Sequence, residues 1–367
     1  MYIYQHKDWP QFTWKAGAIL NLLADVRNLQ GKLLGFMQSL DFELNSEAVL
    51  EIITLDIRSS SAIEGVHLNK HQVRSSVARK LGLSLKTGIY TGREVEGVVE
   101  MMMDASQNYF DSLTAERLCF WHATMFPSGR SGMIAITVGD WRAGSKGPMQ
   151  VVSGPIGKEE IHFEAPEARF VDTEMCQFME WFNSPSDLDS VLKAALTHLW
   201  FITIHPFEDG NGRIARALTE MQLARSDKST ERFYSMSAQI LKDCSSYYAI
   251  LEKTQKENMD ITEWIIWFLE CLKKAILASE DVLSNVITKA KFWQYHRKTM
   301  LNNRQRKILN LLLTDFKGKL STSKWAKICK CSTDTALRDI QDLIIKKILV
   351  REAAGGRSTA YRLTIGN

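Results

Sequence analysis

The chain has 367 residues, 45% of them hydrophobic and 24% charged, the balance of an ordinary globular protein with room for two or three cores. No apolar run reaches the roughly 20 residues a bilayer-spanning helix needs, and the start M-Y-I-Y-Q-H-K-D-W-P lacks the basic-then-apolar pattern of an export signal, so a cytoplasmic location with no membrane partner is expected. The net charge of +4 divides unevenly, with an excess of nine positive charges from Arg304 onward and five negative before it. The six cysteines make no metal-ligand spacing, since Cys329 and Cys331 have no second pair nearby.

Helical periodicity dominates. It predicts helices over 16–40, with Ile19, Leu23, Val26, Leu33 and Leu34 among the apolar positions, and over 46–60, capped by Asn45 or Ser46. Further helices are expected over 92–110, 113–126, 172–183, 188–204, 213–226, 245–257 and 261–290. Between Gly139 and Pro166 the pattern changes. Apolar positions around Met149–Val152 and Ile161–Phe163 flank a Gly/Pro-rich stretch, which predicts a β-hairpin in a helical protein. The basic tail predicts helices over 304–315, 321–329 and 332–347, then two strands around Gly355–Gly356. That is the order of a winged helix, with Ser332 capping the third helix and Thr333, Thr335, Arg338 and Lys346 placed to face DNA.

The densest chemistry lies in I-H-P-F-E-D-G-N-G-R-I-A-R, from Ile204 to Arg216. Gly210, Asn211 and Gly212 read as a loop opening a helix, whose unpaired N–H groups bind anions. Arg213 and Arg216, three apart, share one side of that helix and can fork onto phosphate oxygens. A carboxylate at Asp209 beside a phosphate calls for a divalent cation such as Mg²⁺ between them. His205 can take a proton from an attacking hydroxyl, and Phe207 reads as an anchor. G-N-G-R-I-A also fits a dinucleotide fingerprint, with Glu231 about twenty residues on. The segment before it, however, has helical spacing (Leu192, Ala195, Leu199, Ile202) and no βαβ unit follows. A salt-bridged helix junction without chemistry is the remaining reading of the cluster.

The same residues resemble the signature of the Fic family, H-x-F-x-[DE]-G-N-G-R-x-x-R, at every specified position. The resemblance implies a mainly α fold, a Fic-type helical core with a β-hairpin flap, and transfer of AMP from ATP to a Ser, Thr or Tyr hydroxyl of a target protein or of the chain itself. Transfer of another nucleotide or of phosphocholine is a variant of the same phosphate chemistry. It implies His205 as base, Asp209 as Mg²⁺ ligand, Gly210–Gly212 as anion hole, and Arg213 and Arg216 on the β- and γ-phosphates. G-D-W-R at 139–142 and the hairpin after it are similar to the flap that docks the target, here Met149, Gln150, Val151 and Val152. Tyr247 and Tyr248 in S-Y-Y-A-I-L are candidates to close the adenine pocket, with core packing as the other reading. Upstream, S-S-A-I-E-G from Ser60 to Gly65 resembles the family's inhibitory signature. By it, Glu64 forms a two-pronged pair with Arg216, Ser60 holds the Glu64 carboxylate, and removal of AMP is a second activity. The other reading makes Gly65 a helix C-cap. His198, before the motif, reads as a packed helix residue.

The start Trp9-Pro10-x-Phe12-x-Trp14 is similar to the N-terminal domain of bacterial Fic proteins that end in a winged helix. Three parts are therefore expected: 1–95 helical with the inhibitory helix, 96–295 the catalytic core, and 303–367 the winged helix. A homodimer is a further expectation. The alternative function is a DNA-binding regulator whose Fic core senses nucleotide or modifies itself.

Overall fold

A computed structural model describes residues 1–40, 42–83, 91–144, 147–154, 158, 160–313, 316, 318–352 and 359–364. The fold is mainly α. Among the described residues no helix is long and apolar enough to cross a membrane. The chain divides into two compact units, Met1–Glu280 and Asp281–Asn367.

The first unit is built round an antiparallel pair, α7 (Ser190–Ile204) and α8 (Asn211–Asp227). Every side chain of α7 from Val191 to Ile204 is buried, as is α8 from Asn211 to Ala224 apart from Gly212. Helices buried on all sides lie at the centre of a bundle, so the loop 205–210 that joins this pair is held between two buried helices. Around it lie α1 (Ala16–Gln38), α2 (Phe42–Ile63), α3 (Lys70–Lys80), α4 (Arg93–Gln107), α5 (Ala115–Met125), α6 (Val171–Asn183), α9 (Met236–Lys242), α10 (Cys244–Gln255) and the first part of α11 (Thr262–Tyr295). Gly97 lets α4 approach α5 closely, since a Cβ there would lie 1.8 Å from the Thr124 carbonyl oxygen.

Residues expected as separate N-terminal and catalytic parts lie together in this unit. Trp9 and Phe12 pack edge-on against Trp200 of α7, and the Trp9 indole donates to Glu174. Arg27 of α1 forks onto Asp189, the residue that caps α7. Such contacts join 1–83 to the central pair through apolar burial and a partly buried ion pair.

Several expectations change. The second helix begins at Phe42, so Asn45 and Ser46 lie inside it rather than capping it, and the Asn45 amide reaches Glu231 instead. Helices α3 and α9 went unpredicted. Alpha3 is short and polar, and its start depends on the Asn69 side chain accepting from the N–H groups of His71 and Gln72. A small antiparallel pair, β1 (Arg130–Ser131) with β2 (Ile134–Ala135), is also new. The expected hairpin is present as β3 (Gln150–Ser153) and β4 (Glu160–Glu164), with a register shift between Val151 and Val152. Residues 155–157 of its turn lie outside the described residues.

The second unit holds α12 (Asn303–Leu312), α13 (Thr322–Cys329), α14 (Thr333–Ile345) and the antiparallel pair β5 (Leu349–Arg351) and β6 (Tyr361–Leu363). Its own core gathers Ile308, Trp325, Ile340, Leu343, Ile348 and Tyr361. Ser332 caps α14 by accepting from the Thr335 N–H. The turn expected at Gly355–Gly356 lies outside the described residues. Lys346, expected to face DNA, instead donates to Asp342 and the Met300 carbonyl.

Candidate active site

The loop between α7 and α8 sets the site. His205 ends α7 in the left-handed conformation (φ 52°), which turns the chain sharply out of the helix. Its Nδ1 lies 3.1 Å from the Ile202 carbonyl. A carbonyl only accepts, so Nδ1 carries the proton and Nε2 is left bare. Burial drives the ring's pKa down to about 4; the Ile202 carbonyl works against this, the Arg142 cation with it, and the Glu64 and Asp209 carboxylates against it. The imidazole is therefore neutral at neutral pH, the form a general base needs.

Asn211 closes the loop. Its side chain accepts from the Phe207 N–H (3.0 Å) and donates to the Phe207 carbonyl (2.8 Å). That side chain is spent on the loop, so only its N–H is free for an anion. Phe207 is fully buried and stacks on His122, with ring centroids 4.2 Å apart. Gly210 adopts φ 83°, and a Cβ there would meet Phe126 at 3.0 Å, so the turn needs glycine. No side chain caps α8, and its first hydrogen bond runs from Ile214 N–H to the Gly210 carbonyl. The N–H groups of Asn211, Gly212 and Arg213 thus lack intrahelical acceptors, and they carry the positive end of the helix dipole.

Two guanidinium groups stand on the first two turns of this helix. Arg213 lies over the Phe126 ring (4.9 Å) and 3.8 Å from Asp209. Arg216 is almost fully buried. Its Nε donates to the Ser60 hydroxyl (2.9 Å), and one Nη donates to the Ser60 carbonyl (2.8 Å) and to Glu64 Oε1 (2.8 Å). Burial alone would lower its pKa, but Glu64 and Tyr247 hold it above the ordinary value. Glu64 is thus brought to Arg216 across 152 residues of sequence by one hydrogen bond, where a two-pronged pair was expected. Ser60 serves Arg216 rather than Glu64, because it lies one turn back on α2 and the guanidinium reaches along the helix end to both its oxygens.

Glu64 itself sits at the C-cap of α2. Gly65 follows at φ 76°, with Gly65 N–H bonded to the Ala62 carbonyl and Val66 N–H to the Ser61 carbonyl, a Schellman ending. The glycine therefore does end the helix, and in doing so places Glu64. A carboxylate at a helix C-terminus is disfavoured by the dipole; the Arg216 cation offsets that cost.

The two tyrosines separate. Tyr247 is buried, its hydroxyl 2.8 Å from His198 Nε2, whereas Tyr248 is 45% exposed and donates to the Ile63 carbonyl at the end of α2. His198 is buried with both ring nitrogens bonded, Nδ1 to Thr219, and burial lowers its pKa to about 3.

A groove of about 620 Å³ runs between the two β-pairs, lined by Ser131, Ile134, Arg142, Met149, Gln150, Val152, Ile161, Glu208 and Asp209. Val151 is not on that wall, because it pairs with the buried Phe163 across the hairpin. Asp209 accepts from the Ser131 hydroxyl and from the Gly210 N–H. Among the described residues no cluster of three or more metal-ligating side chains exists. One partly exposed carboxylate suits a Mg²⁺ that arrives with a polyphosphate, which keeps waters and takes few protein ligands.

Sequence reasoning missed His122. It is buried in α5, accepts from the Gly139 N–H at Nδ1 (3.1 Å) and contacts the Asp209 carbonyl through Nε2 (3.2 Å). A lone histidine in an amphipathic helix gives no signal; only the fold shows that it bridges two loops.

Comparison with known proteins agrees with this geometry. Residues 112–223 match the Fic/DOC family, and residues 2–83 match a domain of unknown function (DUF4172). The chain therefore carries a Fic/DOC domain. It is similar to the protein adenylyltransferase Fic of Nematostella vectensis, 25% identical over 240 residues, which is 62% of this chain and 49% of that protein. The protein adenylyltransferase fic-1 of Caenorhabditis elegans is 35% identical over 81 residues, 21% of this chain and 16% of that protein. The chain thus spans about half or less of these curated relatives. Among solved structures, a Fic family protein from Desulfovibrio desulfuricans covers 98% of this chain and 99% of its own, with a TM-score of 0.54 at 20% identity. A Fic domain containing signaling protein from Bacteroides thetaiotaomicron covers 73% of this chain and 97% of its own, with a TM-score of 0.51 at 22% identity. These likenesses establish the Fic fold.

Proposed function

We propose that the chain is an autoinhibited protein adenylyltransferase, transferring AMP from Mg·ATP to a hydroxyl side chain of a target protein or of itself. The observation that carries this reading is the Glu64–Arg216 bond, made at the helix start where the triphosphate would lie. The free N–H groups of Asn211 to Arg213, with Arg213 and Arg216, form the anion site. Bare Nε2 of His205 takes the proton of the attacking hydroxyl. The hydroxyl oxygen bonds the α-phosphorus as the bond to the β-phosphate breaks and pyrophosphate leaves; Asp209 would hold Mg²⁺, which would neutralise charge on the phosphates. Met149, Gln150 and Val152 line the groove beside Asp209, and among the described residues β3 pairs with β4 alone, so an extended target segment could add to the β3 edge. Tyr248, bonded to the end of the inhibitory helix, is the better placed of the two tyrosines to meet an adenine. Adenylyltransferase names among the relatives support the same chemistry.

In this reading Glu64 occupies Arg216 and the space above Gly212, so ATP binds unproductively until α2 shifts. The second unit is a winged helix in element order. Its α14 exposes Thr333, Asp334, Leu337, Arg338, Gln341, Ile344 and Ile345, a face with one cation, one acid and three apolar groups. That is poor ground for phosphate contact, so the DNA-binding alternative is not adopted. The test is incorporation of label from α-³²P-ATP with Mg²⁺ by the wild type, Glu64→Gly and Glu64→Gly/His205→Ala. Label strongest in the single variant and lost in the double supports the reading. Label that survives loss of His205 overturns it.

A further inference from the structure

Arg142 is a buried cation with no acidic partner among the described residues. A guanidinium removed from water is costly unless its donors are met. Here the partners of Nε and Nη2 are carbonyl oxygens. Nε donates to the His205 carbonyl (2.8 Å) and Nη2 to the carbonyls of Pro166 and Ile204 (3.4 Å for the latter), while the backbone N–H of Arg142 donates to the Pro206 carbonyl (2.9 Å). Three successive carbonyls, 204 to 206, are thus gripped by one residue. They lie at the C-terminal end of α7, where carbonyls lack intrahelical partners and the dipole favours a cation. The residue at their centre, His205, holds a left-handed backbone that a non-glycine residue adopts only at a cost.

Arg142 also ties the hairpin to this turn. It stands eight positions before β3, while Pro166, its fourth partner, stands two positions after β4; the guanidinium therefore links the chain before the β3–β4 hairpin to the chain just after it. From below, His122 bonds Gly139 on one side and the Asp209 carbonyl on the other. Arg142 lines the groove that contains Glu208 and Asp209.

We propose that Arg142 is a positioning residue: its fork fixes the left-handed turn at His205 and sets the β3–β4 hairpin in register with it, so that the base and the docked target hydroxyl are held by one side chain. The inference rests on the adenylyltransferase reading for its activity consequence, but the structural part is independent of it.

The test uses the full chain carrying Glu64→Gly, compared with Arg142→Lys, which keeps the cation without the fork, and Arg142→Gln, which loses both. The expected result is a fall in kcat for AMP transfer of about 100-fold in each, the scale that a misplacement of about 1 Å produces, with KM for ATP within about threefold. The ¹³C backbone shift of His205 moves out of the left-handed range in both. The His205 ring titrates higher in Arg142→Gln than in Arg142→Lys, since only the former removes the cation. A kcat within about threefold of the parent, or an unchanged His205 backbone shift in Arg142→Lys, overturns the proposal. If Arg142→Gln does not fold, Arg142→Lys decides alone. If the parent transfers no AMP to anything, the functional reading fails, and the His205 shifts still decide the role of Arg142.

Discussion

Glu64 rests on Gly212: a Cβ built on that glycine would lie 2.1 Å from Glu64 Oε1 and 3.2 Å from an Arg216 nitrogen. The missing side chain at 212 is what lets a carboxylate from another helix descend onto the start of α8. The same space would take a phosphate oxygen, so the two anions compete for one guanidinium and one glycine surface.

Glu64→Gly is accordingly expected to raise AMP transfer by at least about tenfold, the equivalent of 1.4 kcal/mol of relieved competition. Glu64→Gln, which keeps the bulk and loses the charge, should fall between the two. Initial rates of label incorporation decide it; a Glu64→Gly rate at or below wild type counts against competition.

Ser60→Ala removes the acceptor of the Arg216 Nε–H and leaves a buried charged donor unmet, at a cost of about 1–3 kcal/mol. Both stability and inhibition should weaken, because Ser60 holds the arginine and not the glutamate. Thermal melts and transfer rates on one preparation test this; a variant as stable and as inhibited as wild type would contradict the contact.

His205→Ala in the Glu64→Gly background is expected to lower transfer by about 100-fold or more, the usual worth of a positioned general base. Nucleotide affinity, measured by calorimetry, should change little because the ring makes no part of the anion site.

Gly97→Ala should destabilise the first unit by about 3 kcal/mol or more, since the clash is with backbone at Thr124 and neither helix can yield cheaply. Urea unfolding measures it, and a loss below 1 kcal/mol would mean that α4 and α5 slide apart with ease.

Three neutral rings give a pH dependence. His122 and His205 titrate near 4 and His198 near 3 when folded, against about 6.5 unfolded. Below pH ~6.5 the unfolded chain binds protons that the folded chain refuses, so this contribution is full at neutral pH and is lost as pH falls toward 4. His198→Phe should then destabilise less at pH 5 than at pH 7.5 in urea titrations. A destabilisation independent of pH would show that the ring is not held neutral.

Much of this protein was legible in the order of its residues. The thirteen positions from Ile204 to Arg216 name their chemistry because a helix start, two glycines and two arginines three apart fix their own local geometry. The spacing of Leu192, Ala195, Leu199 and Ile202 marks the helix before it, and alternation over 149–152 and 161–163 announces the hairpin. What the sequence could not decide depends on distance through space. Glu64 meets Arg216 by a single bond, Ser60 turns to the arginine, Asn211 spends its side chain on Phe207, and His122 and Arg142 hold the loop through backbone carbonyls. Carbonyls carry no sequence signal, since every residue has one. Which of them a buried cation or imidazole finds is settled only when the helices pack.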